Sequence, residues 1–270
     1  MHDRPHRPLP RRHRLVRLTP DGWGEVLRQP WDAQAHACLG HWAAHGLPLV
    51  VTRQPADAAS AGRLALGLPA PSRWDRRRLA LRVPLTGVDG FDEFPRLAGL
   101  AGVGGATDLA DPADVADPLS LPGLLPAPVR ALACEVAAAL DARHATARVF
   151  GSHGWQAITG LDHVRPTSDL DLWIAVDDVA HADAVAQALD GFDAAHPRLD
   201  GELVFADGAA VAWREWADWR AGRPRAVLVK DIDGVALRHD TAWCATSGSA
   251  PTFRPPSRSS SPLLSLASNP

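Results

Sequence analysis

Several residue types are scarce in this chain of 270 residues, and their scarcity excludes some classes of protein. There is no tyrosine, and the only cysteines are Cys38, Cys134 and Cys244. They are odd in number, far apart, and have no histidine or cysteine neighbour at metal-ligand spacing, which argues against a disulfide framework or a structural zinc site. We interpret them as reduced thiols in a cytoplasmic protein.

Strong charge of one sign and long apolar runs are also missing. The net charge is −3 and the sequence pI is near 6.4, so no general attraction to a nucleic-acid backbone is expected. Residues 1–14 are rich in Arg, His and Pro and lack the apolar core of a signal peptide, and no later stretch could span a bilayer. We therefore expect a soluble cytoplasmic protein with neither nucleic acid nor membrane as a partner.

Lysine is nearly absent, because Lys230 is the only lysine among 28 Lys and Arg residues. A lysine that persists in such a composition indicates either chance or a phosphate-binding function, since lysine is a common phosphate partner. The sequence leaves both interpretations open.

The chain is 46% hydrophobic and long enough for one large domain or two small ones, and we favour two. Glycine, alanine, aspartate and proline dominate residues 99–128, which predicts a connection there. The serine- and proline-rich end cannot bury enough surface to offset its ordering entropy. The predicted division is a flexible arm (1–12), an N-terminal α+β domain with its linker (13–125), a catalytic domain (126–238) and a disordered tail (239–270).

Periodicity and turn signals predict helices alternating with strands in both halves. In the first half we predict a helix over 33–45, capped by Asp32, and strands at 47–52, 62–68 and 77–83. In the second half we predict helices at 128–143, 155–159 and 179–189, strands at 147–150, 170–176, 199–205, 210–213, 226–230 and 235–237, and hairpin turns at 207–208 and 233–234. The predicted fold class is α+β, with a mixed sheet and helices in the C-terminal half.

Two carboxylates lie at alternate positions in Ser168-Asp169-Leu170-Asp171-Leu172. On a strand, Asp169 and Asp171 share one face while the leucines share the other, with the two Cα atoms about 6 to 7 Å apart. Such a pair is typical of a solvated strand edge, but it can also bind Mg²⁺ or Mn²⁺, which prefer oxygen ligands. A metal site of this kind implies a polyphosphate substrate.

Gly151-Ser152 follows a predicted strand and precedes the carboxylate pair, with sixteen residues between Ser152 and Asp169. Small residues at such a turn allow the backbone to approach a phosphate and present N–H groups to it. Alone, a Gly-Ser turn is weak evidence, but together with the aspartate pair it predicts a phosphate site next to the metal. Asp200 and Glu202, on one face of the next strand, are both candidates for a third carboxylate.

This arrangement resembles the nucleotidyltransferase superfamily, in which a Gly-Gly or Gly-Ser turn precedes an Asp-apolar-Asp strand and a later carboxylate. More specifically, the chain resembles the malonate decarboxylase holo-acyl-carrier-protein synthase family, also called phosphoribosyl-dephospho-CoA transferase. The blocks that carry this resemblance are residues 148–160, 168–172, 199–205, 211–216 and 227–230. The N-terminal half is similar to the family at residues 48–53 and 67–69.

The resemblance implies a defined reaction. A serine hydroxyl of the apo acyl carrier subunit of malonate decarboxylase would attack the α-phosphorus of triphosphoribosyl-dephospho-CoA and release diphosphate. Asp169 and Asp171 would hold two Mg²⁺ ions, and Asp200 or Glu202 would complete one metal site or act as a base. The triphosphate would bind Ser152 and the Gly151 backbone, and its charge would be countered by Lys230, Arg148 or Arg214.

Two alternatives remain open in the sequence. The motif encodes neither base nor acceptor, so a nucleotidyltransferase using ATP or another nucleotide on a different acceptor would carry the same residues. A catalytically inactive nucleotide-binding module is the second alternative. Retention of the four carboxylates argues against an inactive module.

Overall fold

A computed structural model describes residues 11–57, 61–102, 125–192 and 196–245. Within these ranges the chain forms two β-sheets with helices packed on them, which confirms the predicted α+β class. Residues 1–10 of the predicted arm, most of the predicted connection and the end of the chain from residue 246 lie outside the described residues.

The first sheet is antiparallel between all of its described neighbours and has the order β4-β3-β2-β1-β5. Its strands are β1 (Leu15–Leu18), β2 (Leu49–Val51), β3 (Arg63–Pro69), β4 (Arg78–Pro84) and β5 (Val88–Asp92). Helices α1 (Pro20–Leu27) and α2 (Ala33–Ala44) contribute Trp23, Leu39 and Trp42 to one buried cluster with apolar residues of the sheet. The first sheet therefore has its own core.

Helix α2 and strands β2, β3 and β4 lie close to their predicted positions. The Asp32 side chain caps α2 by accepting a hydrogen bond from the Ala35 amide at 2.8 Å. On β4, buried and exposed side chains alternate as the sequence predicts. Strand β1, helix α1 and strand β5 were not predicted. The segment of β1, Leu-Val-Arg-Leu, lacks clear alternation, and glycines inside α1 and β5 weaken their helical and strand signals.

The second sheet has the order β11-β10-β9-β8-β7-β6, and β7 and β8 are its parallel pair. Its strands are β6 (Ala147–Val149), β7 (Leu170–Ala175), β8 (Leu199–Val204), β9 (Ala210–Ala212), β10 (Val227–Lys230) and β11 (Val235–Arg238). The antiparallel pairs β8–β9 and β10–β11 confirm the two predicted hairpins. This sheet is mixed, as predicted.

The helices that follow the first sheet are α3 (Leu97–Ala101), α4 (Ala127–Asp141), α5 (Gly151–Thr159), α6 (Val179–Asp190) and α7 (Trp213–Arg220). Helix α5 begins four residues before the predicted helix, because the glycines in its first turn hide the helical signal. A Cβ at Gly154 would overlap with the Val149 carbonyl, so this first turn needs a glycine there. The predicted strand 210–213 is one residue too long, since Trp213 begins α7.

The segment just after β11 differs from the expectation of a disordered tail beginning at residue 239. Residues Ala242–Ala245 form a 3-10 turn, and the Cys244 side chain is only 6% exposed within the core of the second sheet. Trp243 packs edge-on against Phe205, with ring centroids 4.9 Å apart. Packed structure therefore continues at least to residue 245.

The two sheets meet through apolar and polar contacts. Leu15, Phe94 and Trp155 form a small buried cluster between them. Ser72 donates from its hydroxyl to the Asp162 carboxylate at 2.7 Å and from its amide to the Asp162 carbonyl at 3.0 Å. No helix in the described ranges is both long and apolar enough to cross a membrane.

Candidate active site

Gly151 and Asp171 lie close together in the candidate site. Strand β6 pairs antiparallel with β7, so the start of α5 lies beside Asp171, and the Phe150 amide donates to the Asp171 carbonyl at 3.0 Å. Gly151 has a φ of +59°, and a Cβ at this position would overlap with the Asp171 carboxylate. Only glycine satisfies both conditions, which explains this residue at the start of the helix.

Parallel pairing of β7 with β8 places Asp171 directly beside Asp200. Asp169, just before β7, lies near the same point, because one guanidinium nitrogen of Arg198 contacts Asp169 Oδ2 at 3.2 Å and Asp200 Oδ2 at 2.9 Å. Three of the four predicted carboxylates therefore converge. We call Asp169, Asp171 and Asp200 the aspartate cluster.

The electrostatics of the aspartate cluster show how closely its charges are packed. Burial, followed by the nearby charges of Asp200 and Asp169, raises the pKa of Asp171 to about 7 against the opposing effect of Arg198. Like charges at this separation stabilise a cation placed among them. In the structure, the guanidinium group of Arg198 is a cation in contact with two of these carboxylates.

Glu202 is in a different environment from the aspartate cluster. It is 6% exposed, and its two carboxylate oxygens contact Lys230 Nζ at 2.7 Å and His13 Nε2 at 3.1 Å. Burial alone would raise the pKa of Glu202, but the contacts with His13 and Lys230 outweigh it and lower the pKa to about 2. Glu202 is thus an ionised anchor for the N-terminal segment and for β10.

The basic residues predicted to counter phosphate charge are dispersed. Lys230 is paired with Glu202. Arg148 is buried, and its Nη1 donates to the Phe94 carbonyl at 2.6 Å. Arg214 donates to the Leu199 carbonyl at 3.1 Å, and its guanidinium stacks on Trp213. Neither Arg148 nor Arg214 lines the cavity beside the aspartate cluster.

A cavity of about 480 Å³ lies between the two sheets and opens beside Asp171. Gly151 and Ser152 line it, as does Trp155 of the same helix. Within the described ranges no side chain caps the start of α5, so the amide groups of its first turn are available to an anion. The predicted phosphate site therefore adjoins the aspartate cluster in space.

The aspartate cluster offers hard oxygen donors of the type that Mg²⁺ and Mn²⁺ prefer. Across the described parts of the chain, no three His, Cys, Asp or Glu side chains are already arranged around one metal position. Arg198 occupies the space between Asp169 and Asp200, and Glu202 is engaged elsewhere. The accumulated carboxylate charge that raises the Asp171 pKa is nevertheless what a divalent cation would relieve, so the donor set fits such an ion.

Comparison of the sequence with known proteins identifies the family of the chain. The model of the phosphoribosyl-dephospho-CoA transferase MdcG N-terminal domain matches residues 11–94, and that of the MdcG C-terminal domain matches residues 114–241. The chain belongs to the phosphoribosyl-dephospho-CoA transferase family. It is therefore a transferase by family.

Curated relatives with the same name match this chain over most of their length. The phosphoribosyl-dephospho-CoA transferase of Xanthomonas axonopodis pv. citri is 34% identical over 230 residues, covering 84% of this chain and 92% of the relative. That of Bradyrhizobium diazoefficiens is 34% identical over 248 residues, 90% of this chain and 96% of the relative. That of Pseudomonas aeruginosa is 32% identical over 216 residues, 78% and 86% respectively. No solved structure matches the chain.

Sequence reasoning missed two residues of this candidate site. Arg198 precedes Asp200 by two positions, so the period of a strand could have placed both side chains on one face. His13 reaches Glu202 and lies against Phe150, with ring centroids 4.6 Å apart. No local signal marks His13, because 189 residues separate it from Glu202 along the chain.

Proposed function

We propose that the chain transfers the phosphoribosyl-dephospho-CoA group from triphosphoribosyl-dephospho-CoA to a serine of the apo acyl carrier subunit of malonate decarboxylase, with release of diphosphate. The observation that carries the proposal is the contact of Asp171 with Gly151 at the uncapped start of α5. It joins a cluster of carboxylates to an anion site, which is the pairing that phosphoryl transfer requires. The relatives named as phosphoribosyl-dephospho-CoA transferases support the same donor group.

In this proposal the triphosphate binds at the start of α5. The amides of the first helical turn and the Ser152 hydroxyl donate hydrogen bonds to phosphate oxygens, and the positive end of the helix dipole favours their charge. Gly151 leaves room for the Asp171 carboxylate beside that phosphate. Helix α5 thus holds the donor next to the aspartate cluster.

Asp200 is the better candidate for the third carboxylate. It pairs in register with Asp171, whereas both oxygens of Glu202 are occupied by Lys230 and His13. A carboxylate whose pKa is lowered to about 2 is also a weak base. We therefore assign Asp200 to the reacting centre, and Glu202 to positioning of the N-terminal segment.

We propose that Asp169, Asp171 and Asp200 hold Mg²⁺, or Mn²⁺ in its place. When bound, the metal would neutralise phosphate charge and favour the ionised form of the attacking serine hydroxyl. Arg198 would then leave the space between Asp169 and Asp200 while remaining close enough to offset the remaining negative charge.

The test is incubation of the protein with apo acyl carrier subunit, Mg²⁺ and triphosphoribosyl-dephospho-CoA, followed by mass spectrometry of the carrier. We expect a mass gain equal to the phosphoribosyl-dephospho-CoA group. Replacement of Asp171 by Asn should lower the rate at least about a hundredfold, since it removes one charge without changing the shape of the side chain. Asp190→Asn, at an exposed position at the end of α6, is the matched control.

Two outcomes would contradict the proposal. No mass gain with this donor, together with labelling of a protein acceptor from ATP, would favour the alternative nucleotidyltransferase. Near-normal transfer by the Asp171→Asn protein would show that the aspartate cluster is not the reacting centre.

A further inference from the structure

Among the described residues, three arginines line the cavity beside the aspartate cluster, and none of them lies in the sequence blocks that carry the resemblance to the family. Arg78 begins β4 in the first sheet, Arg76 lies two residues before that strand, and Arg165 comes from the segment between α5 and β7. The cavity thus receives positive charge from both halves of the chain. The carboxylate of Asp171 also lines this cavity and supplies negative charge.

The guanidinium groups of Arg78 and Arg165 differ from most others near the site. Both residues are exposed, and within the described residues neither side chain has a carboxylate, carbonyl or aromatic partner. By comparison, Arg11 and Arg14 are paired with Glu93, and Arg198 is paired with two aspartates. Unpaired guanidinium groups that line a cavity are available to pair with an anion bound in it.

Arg76 fixes the geometry of this wall. Its Nη1 donates to the His163 carbonyl at 2.6 Å, and Ser72 is bonded to Asp162 next to it. These contacts attach the first sheet to the segment that carries Arg165. The two sources of positive charge are therefore held together before any ligand binds, which reduces the ordering cost of binding.

A buried polar group also lacks its partner here. His163 lines the cavity and is 5% exposed, and its Nε2 has no hydrogen-bond partner among the described residues. A buried donor or acceptor left unpaired is costly, and a polar ligand in the cavity would remove that cost.

We propose that Arg76, Arg78 and Arg165 form a subsite for a phosphoryl group of the substrate, so that the first sheet takes part in substrate binding. The inference rests on the proposed function, which supplies a substrate with two phosphorylated parts. One is the triphosphate, and the other is the diphosphate within dephospho-CoA. Arginine suits both, because its planar donors pair with phosphate oxygens.

To decide which phosphorylated part of the substrate binds the three arginines, we measure the binding of dephospho-CoA and of inorganic tripolyphosphate by calorimetry, without divalent ions. We test Arg78→Gln and Arg165→Gln, because these side chains have no carboxylate, carbonyl or aromatic partner in the described part of the chain. Each should weaken binding of one ligand about tenfold, the effect of losing one charged hydrogen bond. Loss confined to dephospho-CoA assigns the diphosphate, and loss confined to tripolyphosphate assigns the triphosphate.

Arg225→Gln is the matched control, since Arg225 is exposed, lies outside the cavity and undergoes the same change of charge. It should bind both ligands as the unmodified protein does. The proposal is overturned if Arg78→Gln and Arg165→Gln change neither affinity by more than about twofold, or if the unmodified protein binds neither ligand. If binding depends on the arginines but no carrier is modified, the proposed function fails while the subsite stands.

Discussion

The Asp171 carboxylate occupies space that any side chain at position 151 would fill, and Gly151 also has a left-handed backbone conformation. Position 151 therefore needs glycine for two reasons, the lack of space for a Cβ and the left-handed backbone. Gly160 satisfies only one of them, because its φ is +67° but a Cβ there would meet no atom within 4 Å. This difference allows the clash with Asp171 to be measured apart from backbone strain.

We predict that Gly151→Ala and Gly160→Ala each lower the free energy of unfolding by about 1 to 2 kcal/mol, the cost of a left-handed alanine. Only Gly151→Ala should also displace Asp171 and lower the transfer rate, by about a hundredfold. Urea denaturation and the carrier-modification rate measure the two effects. Equal loss of activity in both variants would show that the contact of Gly151 with Asp171 is unimportant.

Lys230 shows how a residue that composition singles out acquires a specific partner in space. Its ammonium group contacts the buried Glu202 carboxylate, whose other oxygen contacts His13. This contact gives Lys230 a structural function, so the presence of a lysine at this position is not left to chance. In the structure its partner is a carboxylate, and the phosphate-binding interpretation stays a prediction.

At the scale of elements, the parallel pairing of β7 with β8 brings Asp171 and Asp200 together. The register places residue 171 opposite 200 and residue 173 opposite 202, so their side chains share one face. On the other face, Leu170, Leu172 and Leu203 are fully buried in the core of the second sheet. A shift by one residue would exchange core and site, which is why this register is strongly specified.

The 3-10 turn Ala242–Ala245 is the element at which structure departs from the expected tail. We predict that a chain ending at Arg238 is less stable than one ending at Ala245 by about 2 to 3 kcal/mol, because it loses the packing of Trp243 and Cys244. Denaturant unfolding of the two shortened chains measures the difference. Identical midpoints would mean that this turn contributes nothing to the core.

At the scale of the whole molecule, the contacts between the sheets enclose the cavity. His163 lies at this junction, where burial and the charge of Arg76 lower its pKa to about 4, against a smaller opposing effect of Asp162. A histidine with a lowered pKa in the folded state takes up a proton more readily when the chain is unfolded. Its contribution to stability is therefore complete above about pH 6.5 and is lost as the pH falls towards 4.

We predict that the free energy of unfolding declines between pH 6.5 and pH 4, and that His163→Gln makes the decline shallower. His36→Gln, at an exposed position of α2, is the control and should keep the original slope. Urea unfolding at several pH values in this range measures the slopes. An unchanged slope in His163→Gln would exclude the neutral buried histidine as a source of acid sensitivity.

Much of the fold could be predicted from local patterns. The α+β class, the cap at Asp32, the hairpins of the second sheet and strands β7 and β8 depend on alternation, turn residues and short-range hydrogen bonds. The first turn of α5 and the short elements β1 and β5 could not be predicted. Glycines weaken the local signal of α5 and β5, and β1 lacks clear alternation, so these elements depend on neighbours distant in sequence.

The sequence by itself determined which chemical groups this protein has and which of them share a face, because alternation along one strand places Asp169 with Asp171 and Asp200 with Glu202. The tertiary structure decided how those groups are used. It placed Asp171 against Gly151, gave Glu202 to Lys230 and His13, and brought arginines of the first sheet to the cavity. Such choices depend on distances between residues far apart in the chain, which only the packing of the two sheets sets.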